Sequence, residues 1–248
     1  AVKVSFRDAN LRYAGAGADS LSDITFDVAP GETVGIIGGT GSGKSSLVNM
    51  IPRFYDASQG SVCIDGVDVK DYTLDELRHK VGVVPQKAVL FAGTIADNIR
   101  WGKQDATEAE IDEALEIAQA KEFVDGKENG IYFKITQGGK NLSGGQKQRL
   151  TIARAVVRKP EILILDDSAS ALDFATDAAL RKAIREKTKG MTVFLVSQRA
   201  STIMNSDKII VMDDGQIAGI GTHRQLLSNC EIYREICCLL YTSPSPRD

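Results

Sequence analysis

One junction constrains this chain more than any other feature. The residues Gly38, Gly39, Thr40, Gly41, Ser42, Gly43, Lys44 and Ser45 follow directly on the β-branched run Thr33–Ile37, and Leu47, Val48 and Ile51 come next at helical spacing. Strand, glycine-rich turn and helix, in that order, are the context that the phosphate-binding pattern G-x-x-x-x-G-K-[ST] requires. Glycines let backbone N–H groups turn inward around phosphate oxygens, and the helix start adds partial positive charge. Lys44 places a point charge on the β- and γ-phosphates, and the Ser45 hydroxyl can ligate Mg²⁺. Ser46 is grouped with the same loop. ATP with Mg²⁺ is the implied ligand.

The remaining pattern is that of an α/β domain with a largely parallel sheet. Short apolar runs at Thr33–Ile37, Val81–Val84, Ile162–Leu165, Val193–Val196 and Lys208–Met212 alternate with helical stretches. Before Pro30 and around Ser61–Val69, shorter runs with turns at Gly60 and Asp65–Gly66 predict an antiparallel β subdomain. The middle of the chain is more helical. Thr107 and Glu110 are spaced as a capping box, with Ile111, Ala114, Leu115 and Ala118 behind them. A second helix is predicted from about Gly144 to Val157, stopping before Pro160. A helical subdomain over about 87–157 is thus expected to separate the two halves of the sheet.

Composition removes several alternatives. With 43% hydrophobic and 25% charged residues the chain is neither disordered nor a coiled coil. Thirty basic against 33 acidic residues give a net charge of −3, so no global field favours nucleic acid. The sequence has no run of eighteen apolar residues. Its four cysteines, Cys63, Cys230, Cys237 and Cys238, follow no metal or disulfide spacing, which points to a reducing compartment.

Two further motifs refine the chemistry. Ile162–Leu165 followed by Asp166 is a buried strand ending in a carboxylate, suited to an Mg²⁺ beside the loop. Leu142, Ser143, Gly144, Gly145 and Gln146 place an N-cap and two open N–H groups at a helix start, a second anion site independent of the first. Here the chain resembles the nucleotide-binding domain of ABC transporters, over about residues 2–237. The resemblance implies a P-loop NTPase fold of ABC ATPase type, with a mixed sheet core, an antiparallel β subdomain and a helical signature subdomain. It also implies that two such domains sandwich two ATP molecules, the signature of one closing over the loop of the other. By the same resemblance Tyr13 stacks on adenine, Gln86 touches Mg²⁺ and water and faces a membrane domain, and Ser170–Asp173 crosses the dimer interface. The stretch Thr94–Ile99 looks most like the exporter branch.

Three positions depart from the family. Asp167 stands where Glu usually aligns the attacking water, Gln198 where His usually meets the γ-phosphate, and Gln137 where exporters often carry Glu. Asp is one methylene shorter than Glu, and a misplacement of about 1 Å can cost on the order of 10²-fold in rate. Gln198 carries no charge and cannot titrate near neutral pH. The expectation is an ATP hydrolase coupled to transport, with a degenerate site of its own (Asp167, Gln198, with Gln86) and an intact signature. It would pair with a different nucleotide-binding subunit at the cytoplasmic face of the cell membrane, beside a transmembrane domain fused upstream. Other readings are a soluble ABC ATPase in translation or DNA repair, and the separate ATPase subunit of an importer. The chain starts at Ala1 without an initiator Met and is expected to be a fragment. Residues 238–248 back-translate readily to a stretch similar to a transposase adapter used in sequencing libraries, so native sequence is expected to end near Cys237.

Overall fold

In the computed structural model of the chain, the described residues are 1–188 and 190–242. Of the tail set apart above, residues 243–248 lie outside the described residues. The strands, in chain order, are β1 (Val4–Leu11), β2 (Leu21–Val28), β3 (Thr33–Gly38), β4 (Gln59–Ile64), β5 (Val67–Asp68) and β6 (Val81–Val84). They continue with β7 (Gly93–Thr94), β8 (Lys134–Ile135), β9 (Ile162–Asp166), β10 (Thr192–Val196), β11 (Lys208–Asp213) and β12 (Gln216–Gly221). The helices are α1 (Lys44–Asn49), α2 (Leu74–Lys80), α3 (Ile95–Arg100), α4 (Glu108–Ile117) and α5 (Lys121–Asp125). After them come α6 (Gly144–Val156), α7 (Phe174–Lys187), α8 (Ala200–Ile203), α9 (His223–Asn229) and α10 (Glu231–Thr242). The chain divides into two compact units, Ala1–Arg78 with everything from Thr192 onward, and His79–Met191.

In the first unit, β3 runs parallel to β10 on one side and β11 on the other, with Val34 facing both Phe194 and Lys208. β12 returns antiparallel beside β11. A central parallel strand has no solvent face, and Val34, Ile36 and Ile37 are accordingly fully buried. Burying each such side chain contributes about 1.5–3 kcal/mol. The predicted antiparallel subdomain is present, in the order β2-β1-β4-β5. Along β1, Val4 and Phe6 and then, past an irregularity at Arg7–Asp8 where Asp8 has φ +47°, Ala9 and Leu11 turn inward, and Phe6 stacks on Phe26 with centroids 4.6 Å apart.

In the second unit, β6 and β9 pair in parallel, with Val84 opposite Leu165, and β7 pairs antiparallel with β8. The predicted capping box at Thr107 and Glu110 starts α4. The predicted helix from Gly144 ends at Val156, and it buries Leu150, Ile152, Ala153 and Val156. The strands outrun the sequence reading by a residue. The ladder carries β3 on to Gly38, which pairs with Met212, and β9 ends on Asp166 rather than Leu165. Strand β12 carries two glycines among six residues and buries none of the six, so its sequence lacks the apolar run that marks the other strands of this sheet.

Candidate nucleotide-binding site

On the first unit, β3 delivers the glycine-rich loop and α1 takes it away. Gly43 holds the N-cap position at φ +101°, a left-handed conformation that L side chains rarely adopt, and among the described residues no side chain caps α1. A Cβ on Gly38 would lie 2.4 Å from the Met212 carbonyl oxygen and 2.5 Å from Ser42 Oγ, so only glycine permits this turn. Lys44 folds over the loop, its Nζ donating to the carbonyls of Gly38 at 2.8 Å and Gly39 at 2.9 Å. At 9% exposure, this fixes a cation inside the loop. Ser42 Oγ is buried without a hydrogen-bond partner among the described residues, a polar atom that a ligand oxygen would satisfy. A buried cation, an unsatisfied hydroxyl and an uncapped helix start fit the anionic oxygens of a phosphate chain.

Two other predicted residues join this loop. Tyr13, just past β1, is half-buried, and its hydroxyl contacts that of Ser46. Its ring meets Tyr55 edge-on, with centroids 5.0 Å apart. Gln198, after β10, points its Nε2 at Thr40 Oγ1 across 3.5 Å, the outer limit for a hydrogen bond.

On the second unit, β9 ends at Asp166, and Asp167 follows at φ +53°. Asp is among the few side chains that tolerate this left-handed conformation. Gln86, just beyond β6, donates from Nε2 to Asp167 Oδ2 at 3.2 Å, bringing two predicted catalytic positions together. The signature opens α6 as a full capping box. Ser143 Oγ accepts from Gln146 N–H at 3.1 Å and Gln146 Oε1 accepts from Ser143 N–H at 3.0 Å. Gln146 therefore serves the helix start, leaving the N–H groups of Gly144 and Gly145 in the first turn. Asp173 caps α7 by accepting from Thr176 N–H at 2.7 Å, and that bond, aided by the charge of Arg149, holds its carboxyl below the usual range.

Two residues of this region escaped the sequence reading. Tyr55 had no signal, since its partner Tyr13 is remote in the chain. Gln148 did carry one: a polar side chain on the buried stripe of α6, with Thr151 and Ile152 beside it.

The ABC transporter family profile matches residues 21–170. An ABC transporter ATP-binding protein of Mycobacterium bovis is 46% identical over 235 residues, covering 94% of this chain and 40% of the relative. An ATP-dependent lipid A-core flippase of Hahella chejuensis is 41% identical over 232 residues, with 93% and 40% covered. Among solved structures, a bacterial Atm1-family ABC exporter with ATP bound superposes with a TM-score of 0.93 at 36% identity, covering 98% of this chain and 42% of that one. The chain belongs to the ABC transporter family and is an ATP-binding domain of it. It spans about 40% of the length of the curated relatives that it matches. Among the described residues, no helix is long and apolar enough to cross a membrane.

Proposed function

We propose that this chain is the ATP-binding domain of an ABC exporter subunit whose own ATP site is degenerate. The likeness to a lipid A-core flippase and to an Atm1-family exporter supports the exporter reading. On this reading the native domain runs over 1–237, and it works at the cytoplasmic face of a membrane. It acts with a second, different nucleotide-binding domain and a transmembrane domain, and with no nucleic acid. Lys44 and the N–H groups of the glycine-rich loop hold the phosphates. Ser45, Asp166 and Gln86 are the residues that would hold Mg²⁺, which when bound draws off phosphate charge. Tyr13 takes the adenine ring. Ser143, Gly144 and Gly145 serve the ATP held by the partner.

One observation carries the degenerate site. Asp167 stands at the water-aligning position with a short side chain, tied to Gln86 at 3.2 Å. Gln198 reaches Thr40 at the outer limit of a hydrogen bond and brings no charge. On this reading binding survives and turnover at this chain's own site is weak.

The test compares four forms of the protein in the presence of its partner subunit. Asp167→Glu with Gln198→His should raise ATP turnover by more than the two single changes combined, because both act on one water and one phosphate. The parent chain alone should bind Mg·ATP and hydrolyse it slowly. Fast, Lys44-dependent turnover by the parent alone would refute the degenerate reading.

A further inference from the structure

Gln148 sits one turn into α6 and is only 7% exposed. Both ends of its amide are used on the segment Ser170–Asp173. Nε2 donates to Ser170 Oγ at 3.1 Å, and Oε1 accepts from Ala171 N–H at 2.9 Å. The two elements also touch directly. A Cβ on Gly145 would stand 3.1 Å from the Ala171 carbonyl oxygen, so the second residue of the helix lies close against the segment and a larger side chain would push it by a few tenths of an ångström. Asp173, at the other end of the segment, is fixed as the cap of α7.

We infer that Gln148 is a positioning residue, a clasp that makes the first turn of α6 and the Ser170–Asp173 segment move as one body. A buried amide that satisfies one donor and one acceptor on the same short segment fixes both its distance and its orientation. The inference rests on the proposed function in one respect. If Ser143–Gly145 meet the partner's nucleotide, whatever shifts Ser170–Asp173 shifts that contact too, and the clasp transmits the shift. The groups that make the clasp are an amide, a hydroxyl and a backbone N–H, none of which titrates near neutral pH.

Hydrogen exchange on the whole 248-residue chain tests this, in the parent and in Gln148→Leu, Gln148→Glu and Ser170→Ala. A carboxylate at 148 can still accept from Ala171 N–H and from the Ser170 hydroxyl, whereas Leu fills the space and makes neither bond. Exchange over residues 169–172 should become about tenfold faster in Gln148→Leu, stay close to the parent in Gln148→Glu, and fall between them in Ser170→Ala. Exchange at Gly144–Gln146 should rise in step. If Gln148 merely fills space, the order reverses, with Leu protected and the buried charge of Glu disruptive, and the inference is overturned. Should Gln148→Leu fail to fold, the Glu and Ser170→Ala variants decide alone: protection lost in Glu, or unchanged in Ser170→Ala, overturns it. Titration of each variant with Mg·ATP separates the two readings. Absence of ATP binding by the parent would count against the proposed function and leave the clasp to stand on the exchange data.

Discussion

Lys44 is the residue on which the phosphate loop turns. Its ammonium already lies against the Gly38 and Gly39 carbonyls, so little side-chain entropy remains to be lost when an anion arrives. Removing it leaves the loop N–H groups but no full positive charge. Lys44→Ala should weaken Mg·ATP binding by about 100-fold or more, since hydrogen bonds to charged groups contribute about 1.5–3 kcal/mol each. Calorimetric titration of parent and variant measures this directly. Asp167 is a residue of another kind. Its left-handed backbone suits Asp, so the position is locally comfortable as it stands. Restoring Glu there asks a longer, less tolerant side chain to adopt φ +53°, and part of any regained activity is offset by that strain.

Helix α4 shows how an element carries its own pH dependence. Thr107 and Glu110 cap its start, and Glu110 also pairs with Lys103. The Lys103 contact, helped by the Thr107 N–H, pulls the Glu110 carboxyl from its ordinary 4.5 down to about 2. A carboxyl depressed on folding contributes stability above the unfolded value and loses it as pH falls through the folded one. The contribution of Glu110 is therefore full above pH 4.5 and fades between about 4.5 and 2. Glu110→Gln should lower the melting temperature at neutral pH, and the gap between parent and variant should close as pH approaches about 2. Parallel melts across that range test it; a gap that stays constant would mean the charge of Glu110 contributes nothing.

At the scale of the whole molecule, the proposed function assigns the signature and the water-aligning position to different nucleotides. Ser143 is exposed at the start of α6 and is proposed to serve the ATP on the partner, whereas Asp167 is proposed to act on this chain's own ATP. Substitutions should therefore act asymmetrically in the assembled transporter. Ser143→Arg removes the cap hydroxyl and puts a bulky cation in the first turn, and hydrolysis should collapse although this chain's own loop is intact. Asp167→Asn should cost little turnover and instead lengthen the time that the two domains stay closed. Steady-state ATPase rates of both variants, measured with the partner subunit, check the asymmetry. Turnover stopped by Asp167→Asn and spared by Ser143→Arg would reverse the assignment.

The sequence by itself determined what local pattern can encode. The turn from β3 into α1, the buried strand before Asp166, the capping box at Thr107 and the N-cap at Ser143 each lie within a few neighbouring residues, where side-chain spacing and backbone conformation are directly linked. The signature's Gln146 was legible as a motif, but its service to the Ser143 N–H was settled by geometry. Only the tertiary structure decided which distant groups meet. Gln86 and Asp167 are 81 residues apart, Tyr13 and Ser46 33 apart, and Gln148 reaches a segment 22 residues on. Hydrogen bonds form at about 3 Å and weaken within a fraction of an ångström. Such pairs are therefore set by how strands and helices pack, a property of the folded chain as a whole, to which no short window of sequence has access.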